Sequence, residues 1–95
     1  MSVALRLVDL RTTVEVLTEA ASREVGARRR VAERLGIEPS VVTDRVKRVE
    51  KSLEIELFEG KGRSKPSQLG RRMMKYGPKF INEYEDFIEL IQRTE

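Results

Sequence analysis

The chain has 95 residues and a net charge of +3, from 19 basic and 16 acidic side chains, and it contains neither cysteine nor histidine. This length fits one small domain, and the two missing residue types exclude disulfides, thiolate metal sites and catalysis by cysteine or histidine. No apolar run is long enough to span a bilayer and the N-terminus has no signal-peptide pattern, so we expect a cytoplasmic protein that is not an enzyme and has no metal, cofactor or membrane partner.

The charge is distributed unevenly along the chain. Residues 27–75 carry 14 Lys and Arg against 7 Asp and Glu, a net charge of +7, whereas residues 1–26 and 76–95 have net charges of −1 and −3. A basic middle segment between mildly acidic ends indicates a surface that binds a polyanion. The alternative is a solvated surface of uneven charge.

Two amphipathic helices are predicted before the middle of the chain. The first has apolar residues at spacings of 3, 4, 3 and 4, which mark one face of a helix: Leu7, Leu10, Val14, Leu17 and Ala21. Gly26 interrupts this pattern and is expected to end the helix or turn the chain. The second helix spans "ARRRVAERL", with Val31, Ala32 and Leu35 on its apolar side, and Gly36 supplies the left-handed residue that closes it.

A third helix and a hairpin follow. Pro39 or Ser40 begins the helix, since both residue types suit a helix start, and its buried side is formed by Val42, Val46, Val49 and Leu53. The segment "EIELFE" alternates before an apolar pair and predicts a short strand. "GKGR" is a turn and "SKP" returns as a second strand, with Pro66 at a strand end, where a missing N–H group is tolerated.

Ser67 is placed to cap a last, long helix. Its apolar residues lie at spacings of 4, 3, 4, 3 and 4, which is a heptad seam rather than the broader stripe of a helix lying on a core: Met73, Gly77, Phe80, Tyr84, Phe87 and Ile91. We expect this seam to form a dimer interface through Met73, Phe80, Tyr84, Phe87 and Ile91, the alternative being ordinary packing of its aromatic residues against the first helix. Pro78 is expected to kink the helix or to split it near Gly77.

Helix, tight turn, helix and then a hairpin rich in Gly and Lys is the order of a winged helix-turn-helix. The expected fold class is therefore mainly α with a small β-hairpin. A winged helix-turn-helix DNA-binding domain spans residues 1–66, and a long linker and dimerisation helix spans residues 67–95. In such a fold the recognition helix, residues 39–53, enters the major groove of double-stranded DNA, and the wing, residues 57–66, lies on flanking DNA.

The candidate DNA-binding residues lie in three segments. At the start of the second helix they are Arg28, Arg29 and Arg30, for which a solvated face is the alternative. On the recognition helix, short hydroxyl and methyl groups suit base edges and long cations suit phosphates: Ser40, Val41, Thr43, Asp44, Arg45, Lys47, Arg48 and Lys51. On or beside the wing turn they are Lys61, Arg63 and Lys65.

The run "VAERLGIEPSVVTDRVKRVEKSLEIELFEGKGR…SQLG" resembles the DNA-binding domain of the LysR-type transcriptional regulators. That family typically shows an "AAERL" second helix, a recognition helix with a Leu-Glu-rich end, an "LF" pair before a Gly-Arg wing, and a "TxxG" start of a linker helix. The corresponding segments here are Val31–Leu35, Pro39–Leu53, Leu57-Phe58, Gly62-Arg63 and Ser67–Gly70. The resemblance implies that the recognition helix reads the major groove, that the wing touches flanking DNA and that the long helix pairs two subunits.

Three features depart from the family pattern. The segment "TEAASREVGARRR" is longer than the family norm. Asp44 stands where a basic residue is common; its carboxylate either accepts from a cytosine amino group or, as we favour, pairs with Lys47 or Arg48 one turn later. The family's effector-binding domain is missing and no small-molecule effector site is visible, which fits either a fragment of a longer regulator or a free-standing small one.

We therefore interpret the chain as a bacterial-type, cytoplasmic and nucleoid-associated regulator that binds double-stranded DNA sequence-specifically as a homodimer and controls transcription. Without a visible effector domain, steric repression or architectural work is favoured over ligand-switched activation. The alternatives are a winged-helix module that docks on another protein and an accessory DNA-binding factor in recombination or replication control.

Overall fold

The spacing of apolar residues along the chain produces four helices and one short hairpin in the computed structural model, which describes residues 4–93. The helices are α1 (Leu7–Ser22), α2 (Ala27–Leu35), α3 (Pro39–Leu53) and α4 (Gln68–Gln92). The strands are β1 (Phe58–Glu59) and β2 (Lys65–Pro66), joined through a 3-10 turn at Lys61–Arg63. This order confirms the expected winged helix-turn-helix with a long C-terminal helix.

The main core lies where α1, α2 and α3 meet. Its fully buried side chains are aliphatic and come from all three helices and the base of the wing: Val16, Leu17, Val31, Val42, Val46, Val49 and Leu57. The predicted buried side of α3 is confirmed in Val42, Val46 and Val49, with Leu53 half-buried against the core. Leu35, predicted on the apolar side of α2, is 38% exposed at the end of that helix.

Helix α1 buries two stripes rather than one. Leu10 and Val14 pack against Ile81 of α4 in a second, smaller cluster. A separate stripe of α1 faces α2 and α3 and combines apolar with polar residues: Asp9, Thr12, Thr13, Val16, Leu17 and Ala20. The prediction that Ala21 completes the buried face is wrong, because Ala20 lies toward α2 and α3 and leaves Ala21 on the solvent side.

The wing is shorter than the sequence predicts. Phe58 pairs with Pro66 and Glu59 with Lys65 in an antiparallel register, so the strand predicted from "EIELFE" is confined to its last two residues. Glu54 ends α3 in the left-handed conformation, with φ 55°. The amide of Leu57 then donates to the side chain of Glu50 instead of to a neighbouring strand.

Helix α4 begins at the predicted cap, where the Gly70 amide donates to Ser67 Oγ over 3.0 Å. Its first half packs closely on the rest of the fold through two glycines. A Cβ atom at Gly70 would lie 2.2 Å from the carbonyl oxygen of Leu57, and one at Gly77 would lie 2.8 Å from Cγ2 of Val14. The helix continues through Pro78, so the alternative in which it splits near Gly77 is wrong. Pro78 is exposed, and the buried residues Gly77 and Ile81 hold the turns on either side of it.

Within residues 4–93, no helix combines the length and the apolar character that crossing a membrane requires.

Candidate nucleic-acid interface

The outward side of α3 carries a continuous exposed stripe. Ser40, Asp44, Lys47 and Lys51 are all exposed and recur at spacings of 4, 3 and 4. Ser40, Asp44 and Lys47 each lie two residues before a buried valine of the same helix. Two residues correspond to a rotation of about 200°, so the two stripes lie on opposite sides of α3. We refer to Ser40, Asp44, Lys47 and Lys51 as the outward stripe; it presents one hydroxyl, one carboxylate and two ammonium groups to the surroundings.

Two predicted contact residues on α3 bind α1 instead of pointing outward. Arg45 donates through Nη1 to Oγ1 of Thr12 over 3.1 Å. Arg48 donates through Nε and Nη2 to the two carboxylate oxygens of Asp9, each over 3.0 Å. The hydrogen bond with Asp9 raises the pKa of Arg48 above its ordinary value. Val41 and Thr43 are half-buried beside the outward stripe.

The predicted pairing of Asp44 with Lys47 or Arg48 is absent. In the part of the chain that the structure describes, Asp44 forms no ion pair within 4.0 Å, and Arg48 is bound to Asp9 instead. The reason is that the Asp9 carboxylate is 2% exposed, and a buried charge needs a partner far more than an exposed one does. Asp44 therefore keeps its carboxylate exposed on the outward stripe.

The three arginines at the start of α2 have different surroundings. Arg29 is exposed. Arg30 donates to Oε2 of Glu19 over 2.8 Å and to the backbone oxygens of Arg23 and Val25, each over 2.6 Å. It thereby fixes the connection between α1 and α2.

Arg28 is also engaged within the chain. Its guanidinium lies 4.6 Å from the centre of the Phe58 ring and donates through Nη1 to the carbonyl of Arg63 over 3.3 Å. Burial lowers the pKa of Arg28, and the nearby charge of Arg63 lowers it further. Of the three arginines, Arg29 is thus the one placed to reach a partner molecule.

The wing carries two exposed cations and one internal one. Lys61 and Lys65 are exposed, whereas the guanidinium of Arg63 forms an ion pair with the buried carboxylate of Glu50. Lys61 and Arg29 line the same cleft, of about 430 Å³, between the start of α2 and the wing turn. The structure therefore brings a cation from each of these two segments onto one concave surface.

The C-terminal helix leaves most of its predicted seam exposed. The exposed fractions of Phe80, Tyr84, Phe87 and Ile91 are 52%, 42%, 56% and 67%, and the rings of Phe80 and Tyr84 lie 6.1 Å apart. Met73 is half-buried against both core clusters of its own chain. It also lines an apolar groove of about 410 Å³ that reaches Phe80.

Three acidic residues that hold the interface together are not predicted from the sequence: Asp9, Glu19 and Glu50. Asp9 precedes Leu10 and Glu50 follows Val49, and both neighbours are predicted core residues. An acidic residue beside a core position is a sequence signal for a buried carboxylate that needs a cationic partner. No such signal exists for Glu19, which is bound to Arg30 and Arg34 across the helix pair. Residues 4–93 contain no group of three or more His, Cys, Asp or Glu side chains that could hold a metal ion.

Comparison with known proteins places this geometry in context. The sequence model of the bacterial regulatory helix-turn-helix proteins of the lysR family matches residues 7–71. No curated protein matches the chain. Crystal structures of the BenM DNA-binding domain complexed with catB site 1 DNA and with benA site 1 DNA are similar to it, with TM-scores of 0.75 and 0.74 and 22% identity each. The first likeness covers 94% of this chain and 90% of that one, and the second covers 94% and 98%.

Proposed function

The chain belongs to the lysR family of bacterial regulatory helix-turn-helix proteins, and we propose that it regulates transcription as a homodimer whose two α3 helices enter successive major grooves of duplex DNA. Such a regulator acts on the nucleoid, in the bacterial cytoplasm. The BenM DNA-binding domain, which has the same fold, was crystallised in complex with DNA. That likeness supports double-stranded DNA as the partner of this chain.

The outward stripe of α3 is the observation that carries the proposal. A helix in the major groove needs one side buried against its own domain and the other side free for base edges and phosphates. Ser40 and Asp44, with Thr43 beside them, supply short polar groups for base edges, and the Asp44 carboxylate suits the amino group of cytosine. Lys47 and Lys51 supply long cations for phosphates.

A second set of phosphate contacts surrounds the wing. Arg29, Lys61 and Lys65 are exposed cations, and Arg29 and Lys61 share one cleft. We assign these three residues to the backbone of the DNA that flanks the groove occupied by α3. Together with Lys47 and Lys51 they make the affinity strongly dependent on salt, because each neutralised phosphate releases counterions.

The dimer forms through the exposed side of α4. Phe80, Tyr84, Phe87 and Ile91 expose large apolar side chains at heptad spacing, and such a face is stabilised by burial against a second copy of the same helix. The two-fold symmetry of a dimer matches a roughly palindromic site with half-sites one helical turn or a multiple apart.

Fluorescence anisotropy tests the proposal. The purified chain is titrated against duplex DNA from the region upstream of its own gene and against a random duplex of equal length, across a salt series. We expect binding to the native duplex at least about 10³-fold tighter than to the random one. Replacement of Lys47 by Ala should reduce the salt slope by about one, whereas replacement of Asp44 by Asn should change the preferred base.

Two results would contradict the proposal. Equal affinity for both duplexes would identify a protein that reads phosphates without base specificity. Absence of binding to either duplex at moderate salt would favour the protein-docking alternative, in which the exposed side of α4 binds another protein.

A further inference from the structure

We infer that Glu50 is a positioning residue for DNA binding: it fixes the wing against the recognition helix, and Arg28 and Arg63 act through the position of the wing rather than by touching phosphate. The inference rests on the proposed function, because it concerns how the wing reaches DNA. It reverses the role that the sequence alone assigns to Arg28 and Arg63.

Glu50 joins two parts of the wing through one buried oxygen. The residue lies on the buried flank of α3, one turn after Val46, and is 8% exposed. Its Oε2 atom accepts a hydrogen bond from the amide of Leu57 over 2.8 Å and another from the guanidinium of Arg63. One side chain of α3 therefore holds both the start of the wing and the end of its turn.

The backbone of the wing cannot supply this positioning by itself. Its ladder consists of two residue pairs, one of which contains Pro66 and so lacks a donor. A two-stranded hairpin of this kind is marginally stable in water. The Leu57 carbonyl accepts from the Ser67 amide over 2.8 Å, which closes the base of the wing but leaves the turn to be held by side chains.

Arg28 supplies a second attachment from α2. It covers the Phe58 ring at 4.6 Å and donates to the carbonyl of Arg63 over 3.3 Å. Arg63 itself has a φ of 51°, a left-handed conformation that is uncommon for a residue with a side chain. Surrounding contacts are needed to keep a residue in that conformation.

The charges of the network make Glu50 its essential member. Arg63 forms an ion pair with Glu50, and the same carboxylate is the nearby negative charge that offsets the cation of Arg28. The Nε atoms of both arginines are buried without a hydrogen-bond partner in residues 4–93. Without the negative charge of Glu50, the two cations would repel each other in a partly desolvated space. The turn that carries Lys61 would then leave its position beside Arg29.

The test compares Glu50→Gln with Glu59→Gln in the anisotropy assay. Both substitutions remove one negative charge from the neighbourhood of the wing, but Glu59 is exposed. Simple attraction to DNA therefore predicts equal or tighter binding for both variants. Positioning by Glu50 predicts that Glu50→Gln binds about tenfold more weakly, whereas Glu59→Gln does not, because the acceptor shared by Leu57 and Arg63 loses its negative charge and the charge-assisted hydrogen bonds become weaker. Equal behaviour of the two variants would overturn the inference.

Adding Lys61→Gln to each background separates positioning from a general loss of stability. In the wild type and in Glu59→Gln, this change should weaken binding and lower the salt slope by about one. In Glu50→Gln its effect should be clearly smaller, because Lys61 no longer meets its phosphate. An undiminished effect of Lys61→Gln in that background would refute a role for Glu50 in placing the wing.

Arg63→Gln provides a second variant that does not alter α3. It should weaken binding as Glu50→Gln does, and adding Lys61→Gln should then have little further effect, since both changes remove the same wing contact. An undiminished effect of Lys61→Gln in the Arg63→Gln background would mean that Arg63 does not place the wing and would refute the inference.

Hydrogen exchange in the absence of DNA distinguishes failure of this inference from failure of the proposed function. The amides of residues 57–67 should exchange faster in Glu50→Gln than in Glu59→Gln, with α1 and α2 unchanged. If the wild type binds no DNA, the proposed function fails while this measurement still decides whether Glu50 places the wing. Equal exchange in both variants would refute that placement.

Discussion

Arg48 of α3 donates two hydrogen bonds to the buried carboxylate of Asp9 in α1, with Nε–Oδ2 and Nη2–Oδ1 distances of 3.0 Å each. The carboxylate is almost fully buried, whereas the side chain of Arg48 is 46% exposed. This pair holds α3 from the flank opposite to Glu50, so the recognition helix is fixed on both sides by carboxylate–guanidinium pairs.

Replacement of Arg48 by Ala should therefore lower the free energy of unfolding clearly more than an ordinary surface substitution does. The physical cause is the uncompensated charge left on Asp9. Urea unfolding measures the change. Replacement of Lys47, the exposed neighbour, by Ala is the control and should stay within about 0.5 kcal/mol of the wild type. Equal stability of the two variants would contradict the structural role of Arg48.

The two buried glycines of α4 should tolerate alanine differently. At Gly70 the new methyl group would meet the Leu57 backbone, which cannot move without displacing the wing, whereas at Gly77 it would meet one methyl group of Val14. Gly70→Ala should therefore cost about 3 kcal/mol or more despite the better helix propensity of alanine, and Gly77→Ala clearly less. Thermal unfolding of both variants measures the two losses of stability. A larger loss for Gly77→Ala than for Gly70→Ala would contradict the prediction.

A polar residue on the exposed side of α4 should weaken self-association without unfolding the monomer. Phe87 is 56% exposed in the single chain, so Phe87→Ser removes apolar surface that only a partner would cover. We expect sedimentation equilibrium to show a dimer dissociation constant at least about tenfold higher, from the lost burial of one aromatic side chain. Ile81→Ser is the matched comparison, because Ile81 is 8% exposed against α1 and its loss should destabilise the fold itself. An unchanged dissociation constant for Phe87→Ser would place the interface elsewhere.

Acid should weaken the connection between α1 and α2 through Glu19. Two hydrogen bonds, the stronger effect coming from Arg30 and the weaker from Arg34, hold the pKa of Glu19 below its ordinary value of 4.5. Because the folded state binds this proton less readily than the unfolded state, the stabilisation is complete above pH 4.5 and is lost as the pH falls through the lower, folded-state pKa.

Denaturant midpoints measured from about pH 6 to about pH 3 should thus fall more steeply for the wild type than for Glu19→Gln. The variant should be less stable than the wild type near neutral pH and approach it in acid. Parallel curves would mean that Glu19 does not contribute to the pH dependence.

The sequence predicts what depends on local periodicity and misses what depends on distant pairs. The spacing of Val42, Val46 and Val49 predicts their place in the core, because it follows from helix geometry alone. The ion pair of Arg48 with Asp9 cannot be predicted in this way, because Asp9 lies 39 residues earlier in the chain. In the same way, nothing local to Arg28 indicates that the ring of Phe58 will cover it.

Strand length and helix packing were misjudged for a related reason. The alternation of "EIELFE" resembles a strand, but a side-chain acceptor on the preceding helix takes the Leu57 amide and delays pairing until Phe58. Gly77 fits the heptad spacing of the predicted seam, but a Cβ atom at this position would meet Cγ2 of Val14. The missing side chain of Gly77 therefore admits the close approach of α1.

Helix α4 has no buried residue after Ile81 in the part of the chain that the structure describes. Three further turns, as far as Gln92, are supported within the chain mainly by half-buried Ile88 and by the ion pair of Glu85 with Arg11. So short a helical extension is marginal in water unless packing sustains it. In the proposed dimer, ordering of this end would be coupled to association, and the far-ultraviolet circular dichroism of the chain should then lose helical signal on dilution. Helix content would then report the monomer–dimer equilibrium without any label.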